Sequence, residues 1–196
     1  MMCMFSSANA ATYDLRLTNG RMLSGDFAVD LEIKADATFT MGGNTNNQSI
    51  FNITYDNRGI ADSLKGKVQD SDASLIKWGT LDMPAVLETL KLHFPHTKYF
   101  LIGHSAGGQL LGLMPNVHDL TAFCNFGSSS GSLRNMRKRY LFKAHFFMNL
   151  FIPLSNLFFG HTKSQWVGMG EPLPKQVAKQ WQQWCNGQGY VETAFK

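Results

Sequence analysis

A serine with glycine two positions away on each side, Gly103-His104-Ser105-Ala106-Gly107, is the part of this 196-residue chain whose residue types and spacing could do chemistry. A hydroxyl that attacks a carbonyl must be lifted clear of the backbone. A sharp turn from a strand into a helix does this only where its neighbours are small. Gly103 and Gly107 meet that demand, and Gly108 leaves room where the helix would pass the strand. The helix beginning beside Ser105 would aim its N-terminus at the reacting oxygen, so the Ala106 N–H could donate to a developing oxyanion. The chemistry implied is acyl transfer through a covalent serine intermediate. Phosphate binding does not fit, because Gly103 to Gly108 match neither G-x-G-x-x-G nor the Walker pattern with its lysine.

The pentapeptide alone is common, and its context decides its meaning. Tyr99 to Ile102 is a compact apolar run that predicts a strand entering the turn. Gln109 to Met114 predicts an apolar helix leaving it, stopped by Pro115-Asn116. Leu120 to Phe126 predicts one more buried strand, closed by Gly127-Ser128-Ser129-Ser130-Gly131-Ser132. Upstream, Asp82 reads as a helix cap and Pro84 as a first-turn residue, with Met83, Val86, Leu87 and Leu90 on one face of a helix ending near Pro95. Ile50 to Tyr55 predicts a strand closed by Asp56-Asn57-Arg58-Gly59. Thr12 to Lys34 alternates about Asn19-Gly20 as a hairpin would, and the polar stretch Ala35 to Ser49, holding Gly42-Gly43, reads as loop apart from a short strand at Thr38 to Met41. This rhythm predicts an α/β fold, a mostly parallel sheet with flanking helices. After Ser132 it gives way to helices around Arg137 to Phe159 and Leu173 to Cys185. The expected division is a core over 1–132 and a helical lid over 133–196.

A hydrophobic share of 44% with 12% aromatic residues supports one packed globule. The net charge of +4 gathers in Arg134, Arg137, Lys138, Arg139 and Lys143. Such a run is ordinarily a solvated face. Its functional alternative is contact with a membrane surface or an anionic partner, because an apolar stretch follows it. No nucleic-acid partner is expected, since no recognition motif or interleaved aromatic pattern accompanies the charge. Tyr140 to Gly160 is interrupted by Lys143, His145, Asn149, Pro153 and Asn156, so a buried or lid-forming helical pair is expected there and not a membrane span. Cys3, Cys124 and Cys185 are odd in number and lack the paired spacing that holds zinc. No metal or cofactor is implied, and a reducing cytosol is the expected compartment. Met1 to Ala11 contains an Ala-Asn-Ala-Ala stretch but no charged n-region, so export is not expected.

These segments together resemble the α/β-hydrolase superfamily. Ile53-Thr54-Tyr55-Asp56-Asn57-Arg58-Gly59 with Ser63 looks like the fourth strand and its turn, Tyr99 to Gly108 like the fifth strand and nucleophile elbow, and Leu120 to Gly127 like the sixth strand. More narrowly, Trp78 to Leu90, Gly107 to Asn116 and Gly168 to Cys185 resemble uncharacterised bacterial hydrolases with a helical lid, of serine aminopeptidase or lysophospholipase type. The likeness covers about Ile50 to Lys196 and the hairpin Thr12 to Asp30. It implies Ser105 as nucleophile, Ala106 as an oxyanion donor and Gly42 as a candidate second donor, with Gly103, His104, Gly107 and Gly108 completing the elbow.

The family's acid and histidine follow strands seven and eight in the order Ser, Asp or Glu, His. The sequence ends at Lys196, before either would come, and Ala35 to Ser49 is short for the family's oxyanion loop and first helix. Among the histidines, His118 with Asp119 has the right order but follows the helix from Ser105 by roughly 15 Å of rise. His93 and His96 share that far edge. His104 lies in the elbow and points away, while His145 and His161 fall in the lid and could overhang a pocket. Three readings result: an esterase or acyl hydrolase acting on a small ester or acyl substrate, an inactive truncated derivative, and a non-enzymatic binding or membrane-surface protein.

Overall fold

In the computed structural model, residues 2–9, 31–39 and 48–195 are described. Five strands form one sheet: β1 (Met2–Asn9), β2 (Leu31–Phe39), β3 (Gln48–Tyr55), β4 (Lys98–His104) and β5 (Ala122–Phe126), in the order β2-β3-β1-β4-β5. β1 pairs antiparallel with both β3 and β4, β2 pairs antiparallel with β3, and β4 with β5 is the parallel pair. The class is α/β as expected, but the sheet is mixed and not mostly parallel. The cause is the insertion of β1 between β3 and β4. That insertion leaves β3, β4 and β5 pointing the same way, so Tyr55, His104 and Phe126 end at one edge. Such a shared carboxyl edge is where open α/β sheets place their sites.

β1 itself was not foreseen. Its sequence, Met-Cys-Met-Phe-Ser-Ser-Ala-Asn, has neither β-branched residues nor alternation, and two neighbouring strands supply what propensity lacks. The stretch from Ala35, expected to be loop apart from a short strand at Thr38 to Met41, instead continues β2 without a break to Phe39 through an irregularity between Ala35 and Ala37. A one-residue bulge there breaks the period-2 pattern that would have marked the strand. The Asn19-Gly20 hairpin turn and Gly42-Gly43 lie outside the described residues.

Between β3 and β4 the chain forms a continuous helical run: α1 (Leu75–Lys77), a π turn at Trp78–Asp82, and α2 (Met83–His93). Ser74 caps its start, its hydroxyl accepting from the Lys77 N–H at 3.1 Å. Met83, Val86, Leu87 and Leu90 are fully buried on one face, as their spacing predicts. Asp82 is not the cap. It sits in helical backbone and is completely buried, and its carboxylate grips the Arg58 side chain.

Beyond β4, α3 (Ala106–Gln109) tightens into a 3-10 turn at Leu110–Leu113, which buries Leu110, Leu111 and Leu113. β5 was expected to be buried, yet all five of its residues are exposed. Among the described residues it pairs only with β4, at one end of the sheet, and Phe123 and Phe126 are 57% and 58% exposed. The C-terminal part comprises α4 (Lys138–Phe146), a π turn at Phe147–Phe151, α5 (Ile152–Phe159) and α6 (Lys175–Asn186), with a two-residue ladder joining His161–Thr162 to Leu173–Pro174. Phe147, Met148, Ile152, Val177 and Trp184 share one hydrophobic cluster with Leu87, Leu90 and Leu101, so these helices rest on the core built around β4.

Candidate functional site

Ser105 is held in a backbone conformation that side-chain-bearing residues rarely adopt, φ 51° and ψ −118°. Such a conformation costs on the order of 1–3 kcal/mol and persists only where surrounding bonds over-determine it. They do so here. The Ser105 N–H donates to the Phe126 carbonyl at 2.9 Å, and the Ser105 carbonyl accepts from the N–H groups of Gly108 and Gln109, both at 3.1 Å. The Ser128 hydroxyl donates to the same carbonyl at 3.0 Å. The turn is therefore locked from β5, from its own helix and from the loop after β5, and Ser105 is left exposed at the carboxyl edge of the sheet.

The glycines explain how the turn closes. A Cβ on Gly103 would lie 2.6 Å from both the Cα and the N of Gly108, and a Cβ on Gly108 would lie 2.2 Å from the Ser128 hydroxyl oxygen. Strand and helix backbones touch at this crossing. Ala106 heads α3, and its N–H has no partner within the helix. Gly103 and His104 end β4, Ser105 makes the turn, and Ala106, Gly107 and Gly108 open α3. Gly42 lies outside the described residues.

The loop after β5 closes over this edge. Gly127 and Gly131 take positive φ, and a Cβ on Gly131 would strike the Tyr190 ring at 2.6 Å. Tyr190 donates its hydroxyl to the Gln109 amide oxygen at 2.8 Å, while the Gln109 amide nitrogen donates to the Ser129 carbonyl at 2.6 Å. The segment after α6 thereby ties the first turn of α3 to the serine-rich loop, a link with no local signal in the sequence. Burial raises the Tyr190 phenol well above its ordinary range, which keeps it a neutral donor.

The histidines are spread over the molecule. His104 is exposed and leans toward Gly127, where a Cβ would lie 3.4 Å from its Nε2. His118 sits 3.3 Å from Asp119, which Lys91 holds at 2.7 Å, beside the amino ends of β4 and β5. Bonding to Lys91 pulls the Asp119 carboxyl below its usual range and fixes it as a structural partner. His145 bonds Asn149 at 3.1 Å, and His161 bonds the Phe159 carbonyl at 3.0 Å. Among the described residues none of these rings is hydrogen-bonded to Ser105.

Two acidic groups lie where β3 ends. Asp56 has its carboxyl raised by burial, against the pull of a hydrogen bond from the Asp62 backbone, while the charges of Asp62 and Glu171 add to the rise. Asp82 receives the Arg58 Nε–H at 2.7 Å on one oxygen and the Arg58 backbone N–H at 3.1 Å on the other, with Arg58 Nη2 2.6 Å from the first. Burial pushes the Asp82 carboxyl upward against the pull of the guanidinium. The Trp78 indole N–H then donates to the Arg58 carbonyl at 3.0 Å, closing the turn onto the π segment. Among the described residues no three His, Cys, Asp or Glu side chains converge as a metal site requires.

A cavity of about 490 Å³ lies among the C-terminal helices, lined by Met136, Tyr140, Phe147, Met148, Met169 and Trp181 among others. None of the residues around Ser105 lines it. Cys185 is buried and its thiol is pushed up to about 12 by that burial, whereas Cys124 is exposed on β5. At pH 8, Cys124 is therefore expected to react with a thiol reagent in the native protein and Cys185 only after unfolding. Mass mapping of labelled peptides with and without denaturant checks this.

Fold and turn together define a mixed α/β protein that presents a serine on a strained strand-to-helix turn. No family model, curated protein or solved structure matches the chain. No helix among the described residues is long and apolar enough to cross a membrane.

Proposed function

We propose that this chain is a serine-hydrolase scaffold of the α/β-hydrolase type, with Ser105 as nucleophile and the helices after Ser132 as its lid. The observation that carries the reading is the Ser105 backbone at φ 51°, ψ −118° between β4 and α3. A serine bears that strain to lift its hydroxyl clear, and an ordinary glycine-rich turn would have no use for a serine there. In the proposed reaction Ser105 Oγ bonds to the carbonyl carbon of an ester or other acyl substrate. Its proton passes to a base, and the Ala106 N–H steadies the oxyanion. Collapse expels the alcohol with a proton, and water then releases the acyl group from the serine. The unpaired thiols of Cys124 and Cys185 support a reducing compartment such as the cytoplasm.

A second reading, a scaffold that carries the nucleophile without turning substrate over, is favoured by the placement of the described histidines, none of which is bonded to Ser105. Without a neighbouring base a serine hydroxyl is a weak nucleophile. Labelling with a fluorophosphonate separates the two. The first reading expects covalent labelling that Ser105→Ala abolishes, and folded protein that stays unlabelled would refute it. Ser105→Gly adds a stability readout: it should also lose labelling while raising stability by about 1 kcal/mol, because glycine adopts the turn without strain.

A further inference from the structure

The α4 to α5 rod carries two faces of different chemistry. On one side Phe147, Met148 and Ile152 are buried, with Phe147 edge-on to Trp181 of α6 at 5.6 Å. Elsewhere on the rod, Phe142, Phe146, Leu150, Leu154 and Phe158 recur at every fourth position, all between 42% and 80% exposed, with Phe142 and Phe146 also lining the cavity beside Phe147 and Met148. In an uninterrupted α-helix a spacing of four drifts around the axis, since a turn holds about 3.6 residues. The π turn at Phe147–Phe151 has longer i→i+5 bonds and takes up more residues per turn, which counters the drift. The result is an apolar stripe along the solvent side of the rod.

Charge says what that stripe suits. Between Asp119 and Glu171 the sequence has six Lys or Arg residues and no Asp or Glu. Arg134, Arg137, Lys138, Arg139 and Lys143 are exposed, and none is in an ion pair with a described residue. Lys138, Arg139 and Lys143 lie three or four positions from Phe142 and Phe146, so cations flank the aromatic pair on the same outward side. The Arg139 guanidinium lies 4.7 Å from the Tyr140 ring centre, and the Lys163 ammonium lies 4.8 and 5.0 Å from those of Phe159 and Trp166. Long cations laid along aromatic rings keep their charge at the surface while covering apolar area. A second copy of the chain is the poorer occupant, since a two-fold contact through this face would set like charges together.

We propose that the α4 to α5 face docks in the plane of an anionic lipid bilayer, the stripe entering the boundary between headgroups and acyl chains and the basic residues meeting lipid phosphates and carboxylates. This surface is independent of Ser105. The test is co-sedimentation of the full chain with vesicles of phosphatidylcholine alone, and with about a third phosphatidylserine. Expected are binding to the anionic vesicles only, weakening as salt is raised, and an affinity at least tenfold lower for Arg137→Glu/Lys138→Glu/Arg139→Glu. Phe142→Ser/Phe146→Ser should also release the protein, with Ser105→Ala binding like the parent. If the phenylalanine variant does not fold, the charge reversal alone decides. Absent or equal binding to both vesicle types, or a concentration-dependent dimer that Phe142→Ser dissolves without vesicle binding, would overturn the proposal.

Discussion

Replacing Asp82 by alanine is expected to destabilise the protein by about 3–5 kcal/mol, measured as a lower midpoint in urea unfolding. The carboxylate is fully buried and meets Arg58 by Nε, Nη2 and the backbone N–H, so its removal strands a guanidinium whose side chain is only 14% exposed. The loss is one of uncompensated burial, not of a favourable pair. It follows that Arg58→Met/Asp82→Leu should cost less than Asp82→Ala alone, since two apolar side chains leave no orphaned charge. Asp82→Asn is the sharper control, because it keeps the shape and removes the charge. It should fall nearer to Asp82→Ala than to the parent. An outcome in which the double variant is the least stable of the set would mean that the attraction outweighs the desolvation.

That ion pair also marks the limit of what can be read from the chain. Arg58 and Asp82 are 24 positions apart, one in a turn and one two positions before Pro84, which makes the helix-cap reading natural. Each local cue was correct as a cue and lost to a long-range contact. Similarly, β1 carries no periodicity and exists because β3 and β4 offer it edges on both sides. β5 shows the opposite failure. Apolar composition marks it as a strand, but composition cannot distinguish a strand that other elements cover from one open to solvent, and its residues are exposed. By contrast, the strand, turn and helix around Ser105 were legible. Each part is encoded within a dozen residues: an apolar run for β4, glycines where backbones cross, and buried leucines after the turn. The Gln109 to Tyr190 link that braces the turn spans 81 positions and left no trace in the sequence.

The crossing of Gly103 with Gly108 yields the second large effect. Gly103→Ala is expected to cost about 3 kcal/mol, because the added methyl would sit 2.6 Å from two backbone atoms of Gly108 that cannot rotate away. Relief requires α3 to move off β4, which also carries Ser105 away from the Phe126 carbonyl and the Ser128 hydroxyl that fix its strained backbone. Stability and phosphonate labelling should therefore fall together. Gly112→Ala is the matched control, since nothing lies within 4 Å of a Cβ there. It should be neutral, or stabilising by up to about 1 kcal/mol through the unfolded chain. If both substitutions cost the same, the loss would not be specific to the crossing, since Gly103 lies in β4 and Gly112 in the 3-10 turn after α3. If Gly103→Ala folds normally yet loses labelling, the crossing sets the aim of Ser105 without holding the fold. Thermal unfolding of the two variants beside their labelling rates separates these outcomes.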